Sequence, residues 1–488
     1  MRSSPAAERE VLLTTRPLKL SRSALLRPAE LEAVEEAALR ILEDVGIAVS
    51  HPRLEARAER AGFRFSQGRI RLARRQVADY LEEIRGHAWR PRRQPASRRA
   101  SPRLALHISP YPQNVHDLRT DKIVPLTAAR LTEATRLVGA LAYRGVITQA
   151  PGCPTDVAAP LQVVLQYRIA AENLAGGGEP VDAKSLESLP YIAEMAEVLG
   201  RPIRSLPVYV FSPLKLAGES LSAVMAFELR LDSVGVGSMP AAGSTAPVRP
   251  SEALALAAAE VIGSALILRE CIKPTVHWSI GMHPFDMRGL AMSFGSPEAL
   301  LFEMASCEAD AYFHGRPWRP AVGNIHTLAK LPGPQAAAEK SAIMMLGALW
   351  GATEFYCGGV LSLDEIFSPI QLVLDLELKD HAQRLVRGLD SACDPGALLA
   401  DVQAGVAEGF VGLDGTLDRY RDLYWHPGVF ERRFLGPWRS ASSPTFDQIA
   451  REMCRELLGQ YYYEAPADIR SEIDRIYRRA ERGLAAVT

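Results

Sequence analysis

From about residue 125 the sequence repeats one unit: a short apolar run with β character, a loop holding Gly, Pro or Ser, and a longer stretch with helical periodicity. The β-like runs are GVITQAP (145–151), LPVYVFSP (206–213), DSVGVGSMP (232–240), TVHWSI (275–280), RPAVGN (319–324) and TEFYCGG (353–359), with a weaker one at GEPVDAK (178–184). Helical patterns such as LQVVLQYRIAAENL, EALALAAAEVIGSALILREC, SPEALLFEMASCEADAYFH and AAAEKSAIMMLGALWG separate them. Strands alternating with helices imply a parallel sheet covered by helices. Seven such units are visible, and an eighth fits either around GFVGLD (409–414) or before residue 125. That count predicts an α/β fold of the closed (β/α)8 TIM-barrel kind rather than an open doubly wound sheet.

The flanks read differently. AELEAVEEAALRILEDV (29–45) places Leu31, Val34, Ala38, Leu42 and Val45 on one helical face and stops at Gly46. Residues 46–84 then read as a strand, a helix, a hairpin around Gly68 and another helix. The expected organisation is a mostly helical N-terminal cap over 1–124, the barrel over 125–415 and a C-terminal helical extension over 416–488. The extension's EIDRIYRRAERGL face suits packing on another subunit, giving a homo-oligomer, or on the barrel. RPRRQPASRRASPR (90–103) reads as a solvated loop in preference to an anion site.

Charge and composition narrow the function. Lys and Arg number 56 against 57 Asp and Glu, a formal charge of -1, so no basic field points to nucleic acid or an anionic membrane. Six scattered cysteines without a C-x-x-C pair suit a reduced, cytoplasmic compartment better than a disulfide framework. Residues 1–19 lack a continuous apolar segment, so no secretory signal is expected, and no run approaches the roughly 20 apolar residues of a membrane span. Neither G-x-G-x-x-G after a first strand nor a Walker A pattern occurs, and Gly235 and Gly237 alone make no dinucleotide fingerprint.

In a barrel, the C-terminal strand ends and the loops after them form the site. TVHWSIGMHPFD puts His277 and Trp278 at such an end, and the same reasoning gathers Phe211, Ser238, Met239, Asn324, His326, Tyr356 and Cys357. A one-residue slip in register would exchange the barrel interior for the helix side. Trp278, Phe211, Tyr111, Phe285, Tyr356 and Phe355 are candidate faces for an organic cation, with core filling as the competing account. In GNIHTLAKLPGPQAAAEK (323–340), Asn324, His326, Thr327 and Lys330 are candidates for holding a carboxylate, and Gln335 and Glu339 share a helix face at i, i+4. His277, His283 and His326 lack diagnostic metal spacing, so no metal is assigned.

These residues stand in a chain that resembles the trimethylamine methyltransferase family, which has pyrrolysine-containing members and a pyrrolysine-free branch typified by glycine betaine methyltransferases. The resemblance runs through EEAALRILEDVGIAVSHP, NVHDLRTDKIVPLTAARL (114–131), GSTAPVRPSEALALAAAEVIGSALIL (243–268), DMRGLAMSFGSPEALLFEMA (286–305), KLPGPQAAAEKSAIMMLGALWGA (330–352) and LYWHPGVFERR (423–433). It implies a TIM barrel that transfers a methyl group from an amine to Co(I) of a corrinoid (cobalamin) carried by a separate protein. The cobalt would then be the nucleophile, so the mouth need supply no catalytic residue of its own beyond binding and orientation.

Where the family's pyrrolysine falls, in the region matching 323–340, this chain has standard residues only. That points to a quaternary amine such as a betaine, which leaves as a neutral tertiary amine without a proton transfer. SPYPQNVHDL, NIHTLAK and LAGGGEPVD depart from the expected betaine pattern. Two other readings stay open: a barrel that binds a quaternary amine or a corrinoid protein without turnover, and a barrel enzyme of other chemistry using His277 or His326 as base.

Overall fold

The computed structural model describes residue 18 and residues 24–86, 103–177, 186–318, 323–389 and 393–484. The expected run at 178–184, most of the run at 319–324 and nearly all of the 90–103 loop lie outside the described residues.

The chain is α/β, and its parallel strands fall into two groups. In one, Ser233–Ser238 lies between Ser205–Val210 and Thr275–Trp278. In the other, Ala105–Ile108 lies between Val146–Ile147 and Glu354–Gly358, and a parallel bridge from Asn324 to Tyr356 extends the edge. Ala105–Ile108 is the strand that the repeat count left open before residue 125. The other candidate, 409–414, is helical: Phe410–Gly412 forms a 3-10 turn between Pro395–Glu408 and Asp414–Leu423. Among the described residues the two groups do not join into a closed ring.

Each group has one covered face. Leu206, Val208, Val210, Val234, Val236 and Trp278 are buried with helical residues such as Leu221, Val224, Leu266 and Phe313 in one large core. Strand geometry sends alternate side chains to opposite faces. The alternates therefore share the other face: Pro207, Gly235 and His277 in one row, Tyr209 and Gly237 in the next. There Tyr209 and His277 are exposed, and a Cβ added at Gly235 or Gly237 would meet nothing within 4 Å. In the second group Phe355 is buried while Glu354 and Tyr356 are exposed.

Helix starts carry their signals in sequence. Proline occupies the first turn of Pro250–Cys271, Pro297–Phe313, Pro334–Trp350 and Pro369–Val386, where its missing N–H costs nothing. Ser296 and Ser368 accept the N–H groups of Ala299 and Gln371. Pro250–Cys271 is long and apolar enough to cross a membrane, contrary to the expectation that no such run exists, but its side chains are mostly buried within the fold. Pro28–Arg40 packs against it, and Ile47–Ser50 pairs in parallel with Lys215–Ala217. At the other end of the chain, Ala467–Leu484 packs on Ala159–Asn173 and Leu189–Val198.

Short strands beyond the parallel groups build a rim. Ala241–Ala242, just after Ser233–Ser238, pairs in parallel with His283–Asp286, just after Thr275–Trp278. Ile366–Phe367 pairs with Asn114–His116 in the same way. Segments following different strands are thereby tied together at the C-terminal strand ends.

Candidate functional site

A cavity of about 420 Å³ opens at this rim. Gly237 and Ser238 close one side, the 279–283 loop a second, Phe294 and Gly295 a third, and the helix Pro297–Phe313 supplies Glu303, Ser306, Cys307 and Asp310. Asn324 and Arg316 complete the polar lining.

Glu303 is its distinctive group. One carboxylate oxygen, Oε1, accepts the backbone N–H groups of Gly323 (3.1 Å) and Asn324 (3.3 Å) and the Asn324 side-chain amide (3.2 Å). Its second oxygen has no hydrogen-bond partner among the described residues. Burial pushes the Glu303 carboxyl up to about 7, against these hydrogen bonds, which favour the charged form. Asp310 pairs with Arg316, and the Ser306 hydroxyl is buried without a partner. The cavity thus presents one paired cation, one paired anion and a carboxyl whose second oxygen is available. On the aromatic side Phe294 lies between two imidazoles, its ring centroid 4.7 Å from His283 and 4.9 Å from His326. Burial, and then the neighbouring His326, hold His283 down at about 4.

The sequence candidates divide. Ser238 and Asn324 line the cavity. His277, Met239 and Phe211 are exposed at or just past the strand ends. Tyr356 stacks on His107 at 4.4 Å and donates to Glu354 (2.9 Å). Tyr111 is about one-third exposed, and Phe285 is half-buried in the rim strand His283–Asp286.

Trp278 is corrected. It is buried on the helix side, where its indole N–H donates to Tyr80 (3.1 Å) and its ring lies 4.1 Å from that of His314. It has no edge on the cavity because the strand's alternation turns its neighbour His277, rather than Trp278, toward the open face.

The carboxylate-binding candidates are engaged already. His326 Nε2 faces Asp364 (3.1 Å), and Lys330 donates to Ser362 (2.8 Å). Gln335 donates to Glu339 (3.0 Å), as does Thr327.

Glu303, Phe294, Asp310, Arg316 and Asp364 escaped the sequence reading. A signal for two of them was present: Glu303 and Asp310 are seven residues apart, two turns along one face of a largely apolar helix that also carries Glu298 and Glu308.

Comparison with known proteins agrees with the resemblance. Residues 2–483 match the family described as trimethylamine methyltransferase (MTTB). Trimethylamine methyltransferase MttB2 of Methanosarcina mazei is 28% identical over 311 residues, covering 63% of this chain and 62% of that protein. Glycine betaine methyltransferase of Desulfitobacterium hafniense is 27% identical over 282 residues, covering 56% of this chain and 57% of that one. The chain's match thus spans about three fifths of the length of these curated relatives. The crystal structure of the Methanosarcina barkeri monomethylamine methyltransferase (MtmB) aligns with a TM-score of 0.41 at 12% identity, over 91% of this chain and 97% of that one.

Proposed function

The chain belongs to the trimethylamine methyltransferase family, and on that footing we propose that it moves a methyl group from a betaine-like quaternary amine to Co(I) of a corrinoid held by a separate protein. The observation that carries the substrate class is the cavity's charge. Glu303 offers a carboxylate oxygen without a partner in a cavity that Phe294 also lines, and a permanent cation suits both groups. Arg316, a guanidinium in the cavity lining that is paired with Asp310, is the cation offered to the substrate's carboxylate, a role that sequence reasoning gave to Asn324, His326 or Lys330.

The corrinoid, brought by its carrier protein, would supply the nucleophile that accepts the methyl group. This chain's residues would bind the amine, exclude water and hold one N-methyl group at the rim, so that orientation is the main catalytic device. A lining that carries the Arg316 guanidinium together with the Glu303 and Asp310 carboxyls supports that division of labour. Standard residues over 323–340 agree with chemistry that needs no pyrrolysine.

We further take the two parallel groups to be the halves of one TIM barrel, with Tyr209 and His277 on the same interior as Tyr356 and His107. The corrinoid protein would dock over the rim. A cytoplasmic enzyme without nucleic-acid or membrane partners is the matching setting, and the near-zero net charge supports it.

The deciding experiment is anaerobic. The protein is mixed with Co(I) cobalamin, or with candidate corrinoid proteins, and a panel of quaternary, tertiary and secondary amines, and methylcobalamin formation is followed spectroscopically. Methylation with one quaternary amine is expected. Ligand-induced stabilisation without methyl transfer would assign the chain to binding alone.

A further inference from the structure

Beside the cavity three segments converge on a second constellation. The ligating atoms of His326, Cys357 and Asp364 all lie within 4.8 Å of one another. Their convergence is built by the backbone. Between Phe355 and Gly358 the strand carries one more residue than its partner, which advances only from Leu106 to Ile108. Such a bulge re-aims a side chain. Cys357 sits in it with φ +72°, a left-handed conformation that a non-glycine residue adopts at some energetic cost. Its carbonyl accepts Lys340 Nζ (3.4 Å), itself paired with the fully buried Asp375 (2.7 Å).

Asp364 is held as firmly. Ser362 and Leu363 have positive φ, and their N–H groups donate to Ala329 and Thr327 (2.8 Å each), which ties the turn to the segment bearing His326. Ser109 donates to Asp364 Oδ1 (2.6 Å), while Oδ2 faces His326 Nε2. The other ring nitrogen of His326, Nδ1, is buried without a partner.

We infer that His326, Cys357 and Asp364 form a three-ligand site for a divalent cation of the zinc type, with a fourth position left for water or an anionic ligand group. One imidazole, one thiolate and one carboxylate make a donor set that suits zinc better than magnesium or calcium, which take oxygen. Tetrahedral coordination at about 2.0–2.3 Å places ligand atoms about 3.5 Å apart, so side-chain movements of about 1 Å complete it. A thiolate and a carboxylate also balance the charge of a dication. Ser109 on Asp364 and Lys340 on the Cys357 carbonyl are the kind of outer contacts that orient metal ligands. The site is independent of the methyl-transfer reading and stands or falls without it.

The test uses the full-length protein, stripped with a chelator, desalted and titrated with Zn2+ and separately with Co2+. One equivalent should bind, Co2+ should give thiolate-to-metal charge-transfer absorption, and Zn2+ should slow alkylation of Cys357 at least tenfold by mass spectrometry. Cys357→Ser should abolish the absorption, and Asp364→Asn should weaken binding at least tenfold. Cys307→Ser, which alters the neighbouring cavity and leaves the three ligands in place, should retain both properties. Circular dichroism identifies any variant that fails to fold, and the alkylation readout on the wild-type chain needs no variant. Sub-stoichiometric uptake, a cobalt spectrum unchanged by Cys357→Ser, or alkylation of Cys357 indifferent to Zn2+ would each overturn the assignment.

Discussion

At the scale of single residues, Glu303 and His283 pull the pH dependence of stability in opposite directions. The Glu303 carboxyl is lifted from its ordinary 4.5 to about 7, so the folded state keeps a proton that the unfolded chain releases. Its contribution is complete below about pH 4.5 and is lost as pH rises through 7. His283 is lowered from 6.5 to about 4, so its contribution is complete above 6.5 and is lost as pH falls through 4. Urea unfolding across pH 4–8 should separate them. Glu303→Gln should leave stability rising with pH and gain up to about 3 kcal/mol above pH 7, whereas His283→Gln should leave it falling over the same interval. The same carboxylate predicts that affinity for a quaternary amine climbs with pH to about 7 and then levels. In Glu303→Gln, calorimetry should find a flat profile and binding about 10–100-fold weaker. Trp278→Ala, in contrast, should reduce stability by about 3–5 kcal/mol through loss of core contacts, with amine affinity unchanged in the folded protein.

At the scale of elements, the alternating β and helical patterns announced the parallel strands, and proline starts and serine caps announced the helices, because those signals are local. What escaped was non-local. The strand TVHW carries one polar and one aromatic residue at its end, and only pairing with Ser233–Ser238 decides that Trp278 goes to the helices and His277 to the open face. The bulge at Cys357 is invisible for the same reason, since it exists only by comparison with the strand alongside. Likewise Pro250–Cys271, read by itself, has membrane-like hydropathy, and the Pro28–Arg40 cap packed on it reveals a core helix. Its Gly263 closely meets the chain just after Pro28–Arg40: an added Cβ would lie 2.5 Å from Leu42 and 3.0 Å from Ile47. Gly263→Ala should therefore lower stability by about 1–3 kcal/mol in urea unfolding, even though alanine favours the isolated helix by about 1 kcal/mol. A stabilised variant would mean that Leu42 and Ile47 do not bear on this helix.

At the scale of the whole molecule, apolar surface is unevenly distributed. Leu389, Leu399, Val406, Phe410, Val411 and Phe434 are all exposed, and all fall between residues 389 and 435, around Pro395–Glu408 and the turn after it. Exposed apolar side chains concentrated in one stretch in this way are the mark of a candidate association surface. We take a second copy of this chain as the occupant to test, since a formal charge of -1 sets up little net repulsion between identical molecules. The region lies outside the cavity lining, so association need not obstruct the amine site. Light scattering coupled to gel filtration should accordingly find a dimer or larger assembly, and Val406→Glu with Val411→Glu should shift it toward monomer while leaving amine affinity intact. A wild-type monomer at tens of micromolar would remove self-association and return this face to a partner of different sequence. Dissociation accompanied by loss of amine binding would instead mean that the rim is organised by the assembly.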